Sequence, residues 1–511
     1  MESTKIKYSL LSYIESFRPI IYINHHDHVE VIDTIRTLDT NVQCLVFDNA
    51  QGLGIYSHES PFPRYIDSSE TLYSFLDKVK DDAYGMETYL ILKDINDLLS
   101  GPNKDLKVLS ILKYISERTL YANDYHATIF ILSDMLVIPH ELENYITIFD
   151  YPLPIEKEIY ILVKDFAKEM HINVSDDIID SIVLSLKGMT KFQITQILNL
   201  AYHNGGNLVK EDTSLILKEK EQFIKKTGML EIIPVKEKPE DIGGLEIMKD
   251  WLNQKANIFK NLDKAIRFGV DLPKGILIMG RPGCGKSLTA KTTAAMFNLP
   301  LIRLDVGRLL GKYVGESEEN MRKALKLSEA ISPCVLWIDE LEKAFAGVTS
   351  NNDGGITFRL FGQFLTWMQE KTSSVFIVAT ANNIKSLPKE FFRKGRFDEL
   401  FYVDCPNKAE RIKIFNIHLK KRKKWNKNID VEKLAKETEN FSGADIETIV
   451  KNAVEVEFLR GLKENLDLSA IKLDTSTILD AIKGIKPFNN KEEQKDIKSL
   501  IDEYGFKYAS K

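Results

Sequence analysis

The sequence predicts an α/β fold with two modules, each a parallel sheet followed by a helical lid. A chain of 511 residues is too long for one core, which favours at least two domains. In the first half, apolar β-branched runs such as RPIIYIN and ATIFILSDM alternate with helical stretches, a pattern typical of parallel sheets. In the second half, the run KGILIM leads into a glycine-rich loop and then a helix, which indicates a second unit of the same class.

The composition narrows the class of protein. Hydrophobic residues make up 44% and charged residues 28%, with a net charge of −5, as in ordinary globular proteins. This balance argues against nucleic acid as a partner, although the basic run KKRKKW leaves a local contact open. No apolar run approaches the ~20 residues of a membrane helix. Four widely spaced cysteines favour a reducing compartment, so we expect a cytoplasmic protein without membrane partners.

The loop GRPGCGKS, residues 280–287, has the spacing GxxxxGKS between a strand and a helix. That context predicts a P-loop NTPase sheet, because the glycines let successive backbone N–H groups face one phosphate at a helix N-terminus. Lys286 would reach the β- and γ-phosphates, and the Ser287 hydroxyl would bind Mg²⁺. Oxidation of the Cys284 thiol would block the loop; the simpler alternative is a small side chain tolerated between glycines.

Two later strands end in polar residues suited to hydrolysis. The strand in CVLWIDELEKAF ends at Asp339, which would hold the Mg²⁺ shell, and Glu340, which would act as general base on water. The strand in SSVFIVATANN is followed by Asn382, whose amide can orient that water. The turn in FFRKGRFDE carries Arg393 and Arg396, which are either solvated or arginine fingers that reach a neighbouring subunit.

Seven motifs together resemble those of the AAA ATPases. In chain order they are EDIGGLE, GRPGCGKSLTAK, KYVGESEENMR, PCVLWIDELEKAF, ATANN, FRKGRFDELFYVDCPN and FSGADIETIV. Within that family, the whole chain is similar to the uncharacterised two-part AAA proteins of plastids and related bacteria, the hypothetical chloroplast reading frames. Glu342 departs from the family pattern, which usually has Asp at this position.

The resemblance implies ATP and Mg²⁺ as cofactors and paired arginine fingers at Arg393 and Arg396. It also implies that Tyr313, in GKYVGES, is a pore-loop aromatic residue that grips an extended polypeptide in a ring; a Tyr packed at a helix end is the alternative. The metal ligands would be Ser287 and Asp339. The implied nucleotide-binding residues are Asp241, Ile242, Gly243, Pro282, Gly283, Cys284, Gly285, Lys286, Ser287 and Leu288.

The first half is predicted to be a degenerate copy of the second. YLILKDINDLL precedes TIFILSD as VLWIDELEKAF precedes VFIVATA, and FDYPLPIEKEI echoes FYVDCPNKAERI. Where a phosphate loop should follow the first strand, NHHDHVEVID has neither glycine nor lysine. Asp94 takes the place of Asp339, and Ile95 that of Glu340. The histidines of NHHDH could suggest a metal, but a solvated loop is the simpler interpretation.

Composition shifts and motif positions divide the chain. Pro234 and Pro239, among charged residues, predict a linker. The predicted domains are a degenerate α/β domain (1–150), its helical lid (151–227), the linker (228–240), an active α/β domain (241–406), and a helical lid with C-terminal helices (407–511).

These observations predict an ATP-hydrolysing protein that forms a homo-oligomer, with six subunits expected. The favoured function is remodelling or unfolding of an unidentified protein substrate by threading past Tyr313. One alternative is an ATP-dependent switch or scaffold whose assembly follows its nucleotide state. A DNA-acting protein is less favoured by the net acidity. The expected compartment becomes the plastid stroma if the chain is plastid-encoded.

Overall fold

The chain forms two compact units in a computed structural model. The first unit comprises Met1–Leu184 and Met189–Lys210, and the second comprises Ser185–Gly188 and Glu211–Lys511. The structure describes residues 2–39, 41–57, 60, 62–81, 87–122, 125–134, 136–209, 211–226, 228–309, 316–345, 356–383, 387–464, 471–487 and 499–510. Within these ranges, no helix is both long and apolar enough to cross a membrane.

The described part of the first unit contains a seven-stranded sheet in the order β4-β3-β2-β5-β6-β1-β7. Strands β2, β5, β6, β1 and β7 run parallel, whereas β3 and β4 are antiparallel additions at one edge. The strands are β1 (Ile20–Asn24), β2 (Gln43–Asp48), β3 (Gly52–Tyr56), β4 (Arg64–Asp67), β5 (Glu87–Lys93), β6 (His126–Ser133) and β7 (Ile146–Phe149).

Helices cover this sheet, and buried apolar side chains form a core on each of its faces. The helices of the α/β part are α1 (Glu2–Glu15), α2 (His28–Arg36), α3 (Leu72–Lys80), α4 (Asn96–Leu99) and α5 (Leu106–Tyr121), with a 3₁₀ turn at His140–Leu142. The helices that follow are α6 (Glu156–Glu169), α7 (Asp176–Leu186) and α8 (Lys191–Gly205).

In the described ranges of the second unit, another seven-stranded sheet has the order β14-β13-β9-β12-β11-β10-β8. Its strands are parallel except β8, which pairs antiparallel with β10 at one edge. They are β8 (Leu230–Ile233), β9 (Gly275–Gly280), β10 (Leu301–Leu304), β11 (Cys334–Ile338), β12 (Val375–Ala381), β13 (Glu399–Val403) and β14 (Lys507–Tyr508).

The helices of the second unit divide between the sheet and a lid with its own apolar core. Those beside the sheet are α9 (Asp212–Lys226), α10 (Glu246–Lys260), α11 (Leu262–Phe268), α12 (Lys286–Phe297), α13 (Glu316–Ile331), α14 (Leu341–Ala344) and α15 (Ile356–Glu370), with 3₁₀ turns at Pro239–Asp241, Val306–Leu309 and Lys389–Phe392. The lid helices are α16 (Lys408–Lys421), α17 (Val431–Glu437), α18 (Gly443–Lys463) and α19 (Thr475–Lys483).

The two sheets share one strand order, which confirms the predicted fold class of two α/β modules. Numbered along the chain, the five strands of each parallel core run second, third, fourth, first, fifth: β2-β5-β6-β1-β7 and β10-β11-β12-β9-β13. Both sheets are mixed rather than purely parallel. In the first sheet, β3 follows β2 through a short turn, and a connection that short joins only antiparallel strands. In the second sheet, β8 pairs antiparallel with β10.

The helices that follow each sheet also begin with similar capping contacts. A capping box joins Thr190 to Gln193 at α8, and another joins Ser442 to Asp445 at α18. Likewise, α6 and α16 each begin with a Glu at the third helical position that accepts from the backbone N–H of the N-cap residue. These matches support the prediction that the halves are copies.

Two segments make sheet contacts that the sequence did not predict. Helix α9, placed by sequence with the first lid, contacts β8 in the second unit, where the side chain of Ile224 enters the core. The C-terminal segment, predicted to be helical, is helical at 499–504 and then adds strand β14 to the second sheet. Ile501 and Phe506 are buried in the same core, so their apolar contacts fix this segment beside β13.

Candidate nucleotide-binding site

The predicted phosphate loop connects β9 to α12 and is held against the lid. Gly283 and Gly285 have φ angles of 78° and 93°. At Gly283, a Cβ would lie 2.7 Å from the Ser442 Oγ, so both conformation and space require glycine. The carbonyl oxygen of Gly283 accepts a hydrogen bond of 3.0 Å from the backbone N–H of Ala444. The loop backbone is therefore attached to the first turn of α18.

Lys286 lies at the base of this loop and is only 7% exposed. Its Nζ donates to the carbonyl oxygens of Gly280 and Arg281, each at 2.7 Å. Burial lowers the pKa of the Lys286 ammonium, and nearby acidic groups partly offset this effect. The cation is thus fixed at the start of α12, where a phosphate would meet both it and the helix N-terminus.

The predicted metal ligands approach each other from two elements. The Ser287 hydroxyl, in the first turn of α12, donates to Asp339 Oδ1 at 3.4 Å. The Thr380 hydroxyl donates to the same oxygen and accepts from the backbone N–H of Glu340 at 3.2 Å. Thr380 thus connects the ends of β11 and β12, and sequence reasoning did not identify it.

Glu340 follows β11 in a left-handed backbone conformation, with φ of 51°. Such a conformation costs a non-glycine residue about 1–3 kcal/mol and is frequent at functional sites. Its Oε1 lies 3.5 Å from Asn382 Nδ2, and its Oε2 lies 2.8 Å from Lys343 Nζ. The predicted general base and the predicted water-orienting amide therefore lie side by side.

Glu342, which departs from the family pattern, orients this amide. Its side chain is 9% exposed, and its Oε1 accepts from both the backbone N–H and the Nδ2 of Asn382, at 3.1 and 3.0 Å. The sequence showed the departure but not this contact. By accepting from Nδ2, Glu342 directs the NH₂ group of the Asn382 amide toward Glu340.

A cavity of about 600 Å³ adjoins the loop, a size suited to a small-molecule ligand. Its lining contains seven of the ten predicted nucleotide-binding residues: Asp241, Ile242, Gly243, Gly283, Cys284, Gly285 and Leu288. Of the other three, Lys286 and Ser287 begin α12, and Pro282 lines a smaller adjoining cavity. The structure thus brings the predicted residues together.

The lid supplies cavity residues that sequence reasoning missed. Ile414, Ile417, His418 and Lys421 line it with spacings of three and four, the signature of one helix face. Burial lowers the pKa of His418, which favours a neutral imidazole, and its Nδ1 lies 3.7 Å from a Glu447 carboxylate oxygen. The helical spacing in KIFNIHLKK is the signal that could have identified this face.

The opposite wall of the cavity packs against the same lid helix, α16. A Cβ at Gly243 would lie 2.6 Å from the Ile414 side chain, so the turn can approach α16 only as glycine. Glu410 accepts from the backbone N–H of Leu245 at 3.1 Å. The Asp241 carboxylate accepts from the backbone N–H of Lys238, so it stabilises its own turn at the cavity edge.

Arg393 and Arg396 lie on a turn beside β13, and neither belongs to the described lining of the cavity. Arg393 is exposed, whereas Arg396 donates to the Glu390 carbonyl oxygen. Burial and the neighbouring Arg393 lower the pKa of Arg396. Asp398 fixes the turn by accepting from the backbone N–H groups of Lys274 and Gly275, at 2.7 and 2.9 Å. Tyr313 lies outside the described residues.

In the first unit, packed side chains occupy the corresponding connection. Asp27 caps α2 by accepting from the backbone N–H of Glu30, and its second oxygen accepts from the backbone N–H of Phe192 at 3.0 Å. Phe192 matches Ala444, so a carboxylate replaces the loop carbonyl as the lid contact. Across the described ranges, no group of three or more His, Cys, Asp or Glu could hold a metal ion.

In the structure, Asp94 of the first unit corresponds to the residue one position after the one that the sequence comparison gave. Asp94 has φ of 52°, as Glu340 has 51°, and the buried Ile95 that follows it corresponds to the buried Leu341. Asp94 therefore matches Glu340 rather than Asp339. Lys93 takes the place of Asp339 and pairs with Asp48 at 2.6 Å.

Comparison with protein-family models assigns both halves. The model for the ATPase family associated with various cellular activities (AAA) matches residues 276–405, and the AAA+ lid domain matches 428–472. The SpoVK-like AAA ATPase N-terminal domain matches 6–151, and the second domain of that group matches 156–227. The class of protein is thus that of the AAA ATPases.

Curated relatives match nearly the whole chain. The "Uncharacterized AAA domain-containing protein ycf46" of Guillardia theta is 36% identical over 506 residues, covering 96% of this chain and 95% of the relative. Its namesake in Pyropia yezoensis is 34% identical over 494 residues, covering 95% of both chains. The "Cell division cycle protein 48 homolog" of Archaeoglobus fulgidus is 30% identical over 312 residues, covering 59% and 42%. The chain therefore belongs to the AAA ATPase family, and its alignments with the first two relatives span both of its units.

Proposed function

We propose that the second unit binds ATP with Mg²⁺ in the cavity beside α12 and hydrolyses it. The observation that carries this proposal is that Lys286, Asp339 and Glu340 follow the carboxyl ends of β9 and β11, the two parallel strands on either side of β12, and lie close enough to interact electrostatically. That edge is where open α/β sheets bind ligands. The phosphates would lie on the N–H groups of the loop, and the adenine between the Ile242 turn and the neutral His418.

The residues present suit a magnesium ion. Ser287 Oγ and Asp339 Oδ1 are hard oxygen donors 3.4 Å apart, the ligand type that Mg²⁺ prefers. When bound with ATP, the ion would neutralise charge on the phosphate oxygens. Thr380, through its hydrogen bond to Asp339, keeps that carboxylate turned toward α12.

The hydrolytic step falls to the residues beyond the loop. Glu340 would take the proton from the attacking water as that water approaches the γ-phosphate. Asn382 would orient the water, because Glu342 fixes the amide group in place beside Glu340. Lys286 would stabilise charge on the phosphates through a donor already aligned at the helix start.

We further propose a ring, with six subunits expected, in which Arg393 and Arg396 act at a neighbour's site. This proposal rests on the family and on their place outside the described lining of their own cavity. Arg393→Ala and Arg396→Ala should each lower ATP turnover at least about 100-fold, because arginine fingers contribute about 10³–10⁵ in rate. Steady-state phosphate release and fluorescent-ATP binding would separate turnover from affinity.

Lys394→Ala is the matched control, since it removes an exposed cation between the two arginines. It should leave turnover within about threefold of the parent. Mixing an arginine variant with Glu340→Gln should restore turnover at some interfaces. At these interfaces, the arginine-variant subunit supplies an intact Glu340, and the Glu340→Gln subunit supplies the intact arginines. Unchanged turnover in both arginine variants would exclude the shared site.

The energy would be used to remodel a protein substrate by threading. The support is the resemblance of GKYVGES to a pore loop, which gives Tyr313 the gripping role. Tyr313→Ala should abolish stimulation of ATP turnover by unfolded casein, whereas Tyr313→Phe should retain it. If casein stimulates the parent and Tyr313→Ala equally, threading past this residue is wrong.

An ATP-dependent switch or scaffold is the second candidate. It is favoured by the first unit, where Asp27 and its neighbours take the place of a phosphate loop. In that case, sedimentation would show assembly that follows nucleotide state, with no response to casein. A DNA-dependent change in turnover at low salt would instead support the less favoured DNA-acting function. The cytoplasmic or plastid location stays a prediction.

A further inference from the structure

Two cysteines meet beside the phosphate loop of the second unit. Cys284 lies in the loop between Gly283 and Gly285, and Cys405 lies two residues after β13. The strand that leads into the loop pairs with the strand before Cys405, Gly280 with Val403, and Cys405 packs against the buried cluster that contains Cys284. Both are unpaired thiols in the structure, and Cys405 is the more exposed of the two. The distant parts of the sequence that carry them gave no indication of this contact.

The surroundings make the two thiols unequal. Hydrogen bonding from Cys284 lowers the pKa of Cys405 to about 7, helped by Arg281, whose Nη1 lies 3.8 Å from Cys405 Sγ. The hydrogen bond to Cys405 and burial raise the pKa of Cys284. Cys405 is therefore the more readily deprotonated of the two thiols, and the thiolate is the form that reacts readily with oxidants.

We propose that Cys284 and Cys405 form a redox-sensitive dithiol whose disulfide closes the nucleotide site. The Cys405 thiolate attacks one oxygen of hydrogen peroxide; the O–O bond breaks, a sulfenic acid forms and hydroxide leaves. The Cys284 sulfur then attacks the Cys405 sulfur, the S–O bond breaks, and the released hydroxide takes the Cys284 proton as water. Two electrons pass from the sulfurs to the peroxide, and a thiol reductant reverses the reaction.

The disulfide would act on the loop backbone. An S–S bond of about 2.05 Å is shorter than any thiol–thiol contact, so its formation draws Cys284 toward the end of β13. The flanking N–H groups then turn away from the phosphate position. This consequence rests on the proposed nucleotide site, whereas formation of the disulfide does not.

The test oxidises the purified full-length chain with hydrogen peroxide and then alkylates the remaining thiols. Mass spectrometry should find two of the four cysteines alkylated, with a linked peptide pair that contains Cys284 and Cys405. Fluorescent-ATP affinity should fall at least about tenfold, which corresponds to about 1.4 kcal/mol, and dithiothreitol should restore it.

Two variants make the result specific. Cys405→Ser should bind fluorescent ATP after mild peroxide treatment as before it, whereas Cys44→Ala, altered in the first unit, should stay as sensitive as the parent. Four alkylated thiols after oxidation, or oxidation of Cys284 alone, would overturn the dithiol proposal. A linked pair in a chain that never binds ATP would instead refute the nucleotide site and leave the dithiol standing.

Discussion

Replacing Glu340 by glutamine is expected to abolish ATP turnover while leaving ATP binding intact. The glutamine keeps the size of the side chain and one acceptor oxygen, but it loses the charge that pairs with Lys343 and cannot accept the proton of the attacking water. General-base catalysis contributes about 10²–10⁴ in rate, so phosphate release should fall at least about 100-fold. The loop and Lys286 are untouched, so fluorescent-ATP affinity should stay within about threefold.

Asp94→Asn is the matched control for this experiment. Asp94 has the same left-handed backbone position in the first unit, beside a connection that has no glycine loop. This variant should turn over ATP at the parental rate. An effect of Asp94→Asn as large as that of Glu340→Gln would show that both units contribute to turnover and would refute the degenerate first half. The Glu340→Gln chain, held in its ATP-bound form, also provides a way to capture and identify protein substrates.

Replacing Lys286 by alanine should remove most ATP affinity. Hydrogen bonds to charged groups contribute about 1.5–3 kcal/mol, which predicts a loss of about 10- to 150-fold. The buried ammonium is held 2.7 Å from two loop carbonyl oxygens, so its loss also leaves the loop less well fixed. Titration with fluorescent ATP measures the affinity, and thermal unfolding without nucleotide reports any loss of folding.

Lys291→Ala serves as the control, because it removes the same charge from the same helix. Lys291 pairs with Glu237 at 2.8 Å at a part-exposed site, and such pairs contribute about 0–1 kcal/mol. Its affinity should therefore change less than about fivefold. Equal losses in both variants would mean that general charge, rather than the loop lysine, holds the nucleotide.

The sequence was sufficient to predict those parts of the fold and of the candidate site that depend on residues close together along the chain. A strand, a glycine loop and a helix follow one another in residues 275–297, so the phosphate loop could be predicted from adjacent residues. The polar residues at the carboxyl ends of β11 and β12 could be predicted to lie close together, because neighbouring parallel strands end at the same edge of the sheet. The alternation of strands and helices predicted the fold class of both halves.

The sequence did not predict contacts between residues that are distant along the chain. It also did not predict which residues of the two units correspond, where that depends on backbone conformation. His418 lines the cavity from a lid helix, and the Glu342 contact with Asn382 depends on two strand ends. The match of Asp94 to Glu340 became visible only through their shared positive φ, which a single sequence does not show. The edge strands β3 and β4 and the return of β14 depend on tertiary pairing.

The hydrogen bond between Gly283 and Ala444 gives the second unit a mechanical property that the first unit lacks. Gly283 lines the cavity, and its carbonyl oxygen also anchors the lid. Any ligand that shifts this loop must therefore pull on the first turn of α18 directly, without an intervening side chain. In the first unit, the Asp27 carboxylate forms the anchor, and it is separated from the backbone by rotatable bonds. Under the proposed function, a shift of the loop would therefore move the lid of the second unit through a backbone contact, whereas the described lid contact of the first unit runs through a side chain.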